Sequence, residues 1–108
     1  MSGVIVDRGL MQVHCNASGA GVIRMSRSMA TERVDRGVRE GSTSPGCTAM
    51  PMNARPEMVH RTGRLEARTP MQRMAGVDEM ARTAMFPAGD ASSCCTGHDL
   101  PVDGGGCR

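Results

Sequence analysis

Thiols and imidazoles are the side chains of this sequence that could bind a metal ion or act as nucleophiles. The five cysteines stand at positions 15, 47, 94, 95 and 107, and the three histidines at positions 14, 60 and 98. Cys94, Cys95 and His98, joined by His14 and Cys15 from a distant part of the chain, are the candidate ligands of a zinc ion. Their spacing fits no zinc knuckle, because adjacent cysteines rarely bind one ion tetrahedrally. We therefore expect no metal site.

A catalytic relay needs a histidine close to a carboxylate and to a nucleophile. Neither His60 nor His98 has a carboxylate or a serine at a spacing that indicates such a relay, and we interpret both as ordinary exposed histidines. The cysteines are odd in number and irregularly spaced, and the short apolar start of the chain does not resemble a secretory signal. These features predict a reducing, cytoplasmic location.

The apolar content is low for a protein that must bury a core. Leu, Ile, Val and Phe together make up 15 of the 108 residues. This is about 14% of the chain, below the roughly 20% at which a packed core becomes doubtful. The 11 methionines replace part of the missing aliphatic volume, but methionine is flexible and specifies packing poorly. We expect marginal stability.

The charged residues argue against two classes of partner. All 13 basic residues are arginine, against 11 acidic residues, and they are spread along the chain, where a single aromatic residue, Phe86, provides no platform for stacking bases. We therefore expect no nucleic-acid binding. No apolar run approaches the ~20 residues that a membrane span needs, so we expect no membrane partner either.

Helical and extended patterns alternate along the chain, and these elements would position the residues above. A helix is predicted over residues 14–36, with a stop at Gly37, and a weak strand over residues 38–44, followed by a turn at 44–46. Later segments are a short helix over 57–68 ended by Pro70, a helix over 77–86 ended by Pro87, and a strand through Leu100 and Val102 closed by Asp103-Gly104. We expect the methionines between positions 71 and 85 to face the core. This order is typical of part of an α/β fold.

Six short motifs, taken in order, resemble the second half of a short-chain dehydrogenase/reductase, and most of all its polyol and keto-sugar branch. They are Asn-Ala-Ser at 16–18 with Ala-Gly-Val-Ile at 20–23, Met-Ala-Thr-Glu at 29–32 with Arg-Gly-Val-Arg at 36–39, Ser-Pro-Gly at 44–46 with Thr48, Thr-Pro-Met at 69–71, Val-Asp-Glu-Met-Ala at 77–81, and residues 99–105. The resemblance implies an α/β fold class, as the incomplete C-terminal half of a Rossmann-like, doubly wound parallel sheet. Residues 1–108 would be a partial domain without the N-terminal dinucleotide-binding half.

The resemblance also implies where catalysis would take place. The family uses a Ser, a Tyr and a Lys, and the Tyr and Lys lie four residues apart on one helix, where the ammonium lowers the pKa of the phenol. Ser2 stands at the serine position, but Cys15 stands at the Tyr position and Gly19 at the Lys position. A thiol is too short to reach the substrate oxygen, and Gly19 has no group to activate it. We predict that Cys15 and Gly19 are non-functional and that the chain alone is inactive.

Pro45, Gly46 and Thr48 resemble the turn that contacts the nicotinamide side of the cofactor in this family. The implied cofactor is NAD or NADP, and the implied substrate is an alcohol or carbonyl of the polyol or keto-sugar type. The glycine-rich turn that binds the pyrophosphate belongs to the half of the fold that the resemblance does not cover. We therefore expect this chain not to bind the cofactor by itself.

Two other interpretations stay open. The chain could be a non-catalytic partner in a homo- or hetero-oligomer with an intact homologue, since the active-site helix and last strand commonly form subunit contacts in the family. It could also be a decayed or spurious reading frame. The family often has an aromatic residue or lysine at the positions of Arg33, Cys47, Cys94 and Arg108, so these residues are consistent with unselected substitutions.

Overall fold

The structure is a computed structural model, and it describes residues 3–4, 12–51 and 55–106. Helix α1 (Val13–Arg33) is followed directly by a single 3-10 turn (Val34–Arg36). Gly37 ends this segment with a φ of 73°, a left-handed conformation that glycine adopts at low cost. The predicted helix over residues 14–36 and its stop at Gly37 are confirmed, although the last turn is 3-10 rather than α-helical.

Two parallel strands form the sheet. Strand β1 (Gly41–Pro45) pairs with β2 (His98–Val102) so that Gly41 is opposite His98, Ser44 is opposite Pro101, and Pro45 is opposite Val102. The predicted first strand over residues 38–44 begins too early. The N–H of Val38 still donates to the Arg33 carbonyl at 3.3 Å, so the chain leaves the helix cap before it reaches the sheet.

Gly41 explains how a poor strand-forming sequence pairs at all. The imidazole ring of His98 occupies the space that a Cβ at position 41 would need. Glycine in a strand commonly marks such a close approach. His98 is therefore half-buried against the opposite strand, and the prediction that it is an exposed histidine is wrong.

Two further helices lie between the strands in sequence. Helix α2 (Val59–Arg68) follows a 3-10 turn (Pro56–Met58), and α3 (Val77–Ala88) precedes another (Asp90–Ser92). The predicted end at Pro87 is wrong, because Pro87 lies inside the last turn of α3. That turn is held from outside by Arg39, whose guanidinium donates to the Pro87 carbonyl at 3.0 Å and to the Gly89 carbonyl at 3.3 Å.

The core is as thin as the composition predicts. Within the described part of the chain, Ala30 is the only buried apolar residue, at 2% exposure, and the other buried residues are Ser26, Ser44, Thr48 and Ser92. Met71 and Met85 are 64% and 71% exposed, so the prediction of core-facing methionines is wrong for these two. A sheet of two strands offers the helices too little surface to cover them.

The helices in the described part of the chain differ from membrane-spanning helices. None of them combines the length and the apolar character that crossing a bilayer requires.

Candidate functional site

The turn after β1, residues 45–48, is held against the end of β2. The N–H of Gly46 donates to the Val102 carbonyl at 2.9 Å, so the turn starts while the chain is still attached to the sheet. A Cβ on Gly46 would lie 2.6 Å from the Cα of Asp103, which is closer than real side chains approach. Only glycine at position 46 lets the turns after the two strands lie this close together.

The same turn is fixed on its other side by the loop that precedes α3. Thr48, 6% exposed, forms an isolated parallel bridge with Ala75. The N–H of Ala75 donates to the Cys47 carbonyl at 2.9 Å, and the N–H of Ala49 donates to the Ala75 carbonyl at 2.8 Å. The hydroxyl of Thr48 donates to the Gly46 carbonyl at 3.3 Å. The turn is therefore fixed from two directions.

An ion pair at the start of α3 holds that loop in place. Both terminal nitrogens of Arg73 donate to the Glu79 carboxylate at 2.8 Å, and the N–H of Gly76 donates to the same carboxylate at 2.7 Å. The hydrogen bonds from Arg73 first, and from Gly76 next, lower the pKa of Glu79 to about 2. Glu79 in turn raises the pKa of Arg73. Both partners are charged at neutral pH, and together they fix the residue next to Ala75.

The turn after β2 completes the site. Gly104 and Gly105 have φ values of 62° and 90°, which favour glycine, and the Asp103 carboxylate accepts from the Gly105 N–H at 3.0 Å. The N–H of Met71 donates to the Gly104 carbonyl at 3.1 Å. The turn that the Asp-Gly pair predicts at the end of the last strand is confirmed, and it packs on the loop before α3.

A cavity of about 330 Å³ lies between these three segments. Its walls are formed by Cys47, Thr69, Met71, Arg73, Ala75, Glu79, and the residues from Pro101 to Gly105. Burial raises the pKa of the Cys47 thiol above its usual value, while Arg61 opposes this shift and Glu66 adds to it. The thiol is therefore protonated at neutral pH. We call this space the Cys47 cavity.

Cys15 and Gly19 lie one turn apart on the same side of α1, and both are half-buried. A Cβ on Gly3 would collide with the carbonyl group of Gly19, so Gly3 lies directly against this turn of the helix. Ser2, the third candidate catalytic residue, lies outside the described residues. No side chain at position 19 can provide a charge, whatever the role of Cys15.

The two groups of candidate residues come from different elements. The C-terminal end of α1 lies at the start of the strands, because Arg33 pairs with Glu40 at 3.0 Å and a Cβ on Gly97 would contact Ala30 at 3.7 Å. With so short a connection α1 and β1 run in opposite directions. The N-terminal part of α1, with Cys15 and Gly19, therefore extends toward the sheet end from which Pro45, Gly46 and Thr48 follow.

The metal candidates are not brought together. Cys94 is exposed and Cys95 half-buried in the turn before β2, and His14 and Cys15 lie on the first turn of α1. In the part of the chain that the structure describes, no three His, Cys, Asp or Glu side chains form a group that could hold a metal ion. His60 is exposed on α2.

Two polar networks were missed by the sequence interpretation. Arg39 donates to the Ser92 carbonyl at 2.8 Å and to the Ser92 hydroxyl at 2.9 Å, besides its bonds to the end of α3. The Asp99 carboxylate accepts from the hydroxyls of Ser42 and Ser44, each at 2.8 Å. The alternation of Ser42 and Ser44 is visible in the sequence, but their partner becomes apparent only when the strand register is known.

Comparisons of the sequence with known proteins give a consistent result. The family model described as enoyl-(acyl carrier protein) reductase matches residues 5–106. The chain is 39% identical over 108 residues to the D-arabinitol 2-dehydrogenase (ribulose-forming) of Candida tropicalis, covering 97% of this chain and 38% of that protein. It is 38% identical over 109 residues to the galactitol 2-dehydrogenase (L-tagatose-forming) of Cereibacter sphaeroides, covering 97% and 42%.

Solved structures agree with these relatives. A short-chain type dehydrogenase/reductase from Mycobacterium marinum superposes with a TM-score of 0.84 at 29% identity, covering 98% of this chain and 41% of that one. A blue fluorescent protein from a metagenomic library, in complex with NADPH, superposes with a TM-score of 0.76 at 26% identity, covering 86% and 37%. The chain thus spans about two fifths of the length of the proteins it matches.

Proposed function

The chain belongs to the short-chain dehydrogenase/reductase family, and on that premise we propose that it carries the nicotinamide-side turn of an NAD(P)-dependent oxidoreductase without being a catalyst by itself. The substrate class we assign is a polyol or its keto-sugar. Support for this class comes from the arabinitol and galactitol dehydrogenases to which the chain is similar. Support for the cofactor comes from the structural neighbour in complex with NADPH.

The residues present fit only one end of such a cofactor. The exposed Pro45 and the backbone of Gly46 stand at the end of the sheet, and Thr48 is locked beneath them by its bond to the Gly46 carbonyl. A bound cofactor would supply the hydride donor or acceptor. This chain would contribute a rigid wall that positions the ring, because bonds from both the sheet and the loop before α3 hold the turn. We assign no residue of this chain to the pyrophosphate.

The prediction that the chain alone is inactive rests on the side chains that α1 lacks. A proton must move to or from the substrate oxygen as the hydride moves, and this requires an acid or base within hydrogen-bond reach. Gly19 carries no side chain, and Cys15 places a short thiol where the family has a phenol. Neither residue provides the charge that would tune a proton donor. The chain therefore has a wall for the ring without the group that moves the proton.

The test is a turnover assay on the purified chain. The chain is mixed with NAD(H) or NADP(H) and with D-arabinitol, galactitol and the matching ketoses, and reduced cofactor is followed at high protein concentration. We expect no turnover above a protein-free control. Turnover that Ser2→Ala abolishes would overturn the proposal, because it would mean that the chain assembles a working site.

A second candidate function is that of a non-catalytic partner of an intact homologue. Val22 and Met25 lie next to each other on one side of α1 and are 52% and 55% exposed although helix and strand pack together. Neighbouring apolar side chains with this exposure are more stable when a partner protein covers them than when they face water. An intact relative with the same fold is the partner that the family assignment favours.

The partner proposal is tested by co-elution. The chain and the intact Candida tropicalis D-arabinitol 2-dehydrogenase are mixed at micromolar concentration and separated by size. Co-elution that Val22→Glu abolishes, and that Ser28→Glu on the same helix preserves, is expected. Separate elution of the unsubstituted proteins at these concentrations would exclude this function.

A further inference from the structure

We propose that the Cys47 cavity is a binding site for a small, uncharged, planar aromatic molecule of one or two rings. The proposal concerns the space behind the turn after β1 and does not depend on the proposed oxidoreductase function. Three observations support it: the volume of the cavity, the hydrogen bonds that its polar wall groups already make, and the side chains that remain available to contact a ligand.

The size of the cavity sets the class of ligand. The cavity measures about 330 Å³ and opens to solvent beside Met71 and Arg73, which are both more than half exposed. An apolar cavity of roughly 150 Å³ is already known to stay dry and to take up benzene. The Cys47 cavity therefore has room for one or two fused rings.

Several polar groups in the wall already have hydrogen-bond partners within the protein. Arg73 is bound to Glu79, the Thr69 hydroxyl donates to the Leu65 carbonyl at 2.8 Å, and the Gly104 carbonyl accepts from Met71. A charged ligand would have to compete with the Arg73–Glu79 ion pair, and an anion would also meet the Asp103 carboxylate in the wall, and both effects are costly. An uncharged ligand avoids both costs.

The side chains left for contact favour an aromatic ring. Met71 and the protonated thiol of Cys47 place two sulfur atoms in the wall, and sulfur makes favourable contacts with aromatic rings. Ala75, Pro101 and Val102 add apolar surface. The Arg73 side chain also lies in the wall, where Glu79 holds its N–H groups and 52% of its surface is exposed. The flat face of a guanidinium can stack on an aromatic ring.

Indole is a suitable fluorescent probe for ligand binding to the Cys47 cavity. The chain contains no Trp and no Tyr, so the fluorescence of added indole is observed without a protein background. The chain is titrated into indole, and a saturable blue shift of the emission is expected. Cyclohexanol should displace indole at least tenfold less effectively than benzene, and benzoate should not displace it.

Matched variants locate the site. Cys47→Phe places a ring of the protein inside the cavity, and we expect it to weaken indole binding at least tenfold. Cys94→Phe, at an exposed cysteine outside the cavity, should leave binding unchanged. Circular dichroism of both variants checks that the helices persist.

A second pair keeps the test decisive if Cys47→Phe does not fold. Met71→Asp puts a charge in the wall, whereas Met85→Asp puts one at a similarly exposed methionine on α3. Loss of indole binding in Met71→Asp alone supports the site. An absence of saturable binding by the unsubstituted chain, or equal binding by both variants of this pair, would overturn the proposal.

Discussion

Arg39 connects the segment before β1 to the end of α3 and to the 3-10 turn that follows it. Its guanidinium reaches the end of α3 through Pro87 and Gly89, and the following 3-10 turn through both polar oxygens of Ser92. Ser92 is 1% exposed, so its carbonyl has no ready replacement for this donor. Arg39 therefore substitutes for part of the missing apolar core.

We predict that Arg39→Met lowers the free energy of unfolding by about 2 kcal/mol, because it keeps most of the side-chain volume but leaves buried oxygens without a charged donor. Urea unfolding followed by circular dichroism measures the change. Arg82→Met on the exposed side of α3 serves as the control, with an expected change within about 0.5 kcal/mol. Equal effects of the two substitutions would contradict this role of Arg39.

Glu79 gives a prediction about pH. Its pKa is about 2 in the folded protein, below the ordinary value of 4.5, so its contribution to stability is fully present above pH 4.5 and is lost as the pH falls toward 2. The melting temperature of the unsubstituted chain should therefore fall over this range. In Glu79→Gln the fall should be shallower, whereas the neighbouring Asp78→Asn should keep it. Parallel melting curves for Glu79→Gln and the unsubstituted chain would refute the ion pair's role.

Single residues show where the sequence interpretation reaches its limit. Asp78 and Glu79 are recognisable in sequence as acids in the first turn of a helix, which stabilises the helix dipole. The bond from Arg73 to Glu79 depends on the path of the loop between them, and the bonds of Arg39 span about fifty residues. Contacts of that range follow from tertiary packing, which local patterns do not encode.

Replacing two glycines of the helical segments by alanine should change the stability of the protein in opposite directions. Gly37 and Gly63 both have open space around the position of a Cβ, so packing plays no part in either substitution. Gly37 has a φ of 73°, whereas Gly63 lies inside α2. We predict that Gly37→Ala destabilises the protein by about 1 kcal/mol, because alanine is strained in that conformation.

Gly63→Ala should instead stabilise the protein, by about 0.5–1 kcal/mol, because alanine is the better helix former. Thermal and urea unfolding of both variants test the pair. The same sign for the two changes would contradict the assignment of Gly37 as the left-handed end of the first helical segment.

At the level of elements, the sequence predicted the order helix, strand, helix, helix, strand correctly. The errors of this prediction concern the ends of the elements. The start of β1 was placed too early because the helix cap extends to Val38. Helix α3 continues one residue past Pro87, and the Gly89 N–H closes it by donating to the Met85 and Phe86 carbonyls.

The whole molecule raises the question of whether the catalytic substitutions or the small core limit activity. A chimera answers it. The matched segment of the Candida tropicalis D-arabinitol 2-dehydrogenase is replaced by the corresponding residues of this chain, so that the rest of the fold is supplied by the relative. We predict that activity falls by at least about 10²–10⁴-fold, the usual contribution of a positioned acid or base.

The double substitution Cys15→Tyr with Gly19→Lys in that chimera should recover most of the loss, as measured by kcat on D-arabinitol. Gly21→Lys, on the same helix outside the candidate site, is the control and should recover none. If the double variant folds and stays inactive, other residues of this chain are responsible, and the assignment of Cys15 and Gly19 is wrong.

At this scale the family and the fold class could be predicted from ordered motifs, whereas the cavity could not. The motif at residues 99–105 places the end of the last strand correctly. The Cys47 cavity instead depends on the distance between three loops, and the sequence specifies only their individual turns. The core could be predicted only in part. The composition indicates that it is small, but not that Ala30 is the buried apolar residue of the described part of the chain.

The two prolines of the sheet determine how this protein can meet other extended chains. The Gly46 N–H points toward β2, and backbone directions alternate along a parallel strand, so positions 45 and 101 direct their backbone nitrogens away from the partner strand. Both positions are proline, which has no hydrogen to donate. Each outer border of the sheet therefore lacks one donor near the same end, and a further strand that paired there would form one backbone hydrogen bond fewer. Proline at such borders is a common protection against aggregation, and this chain carries it on both sides.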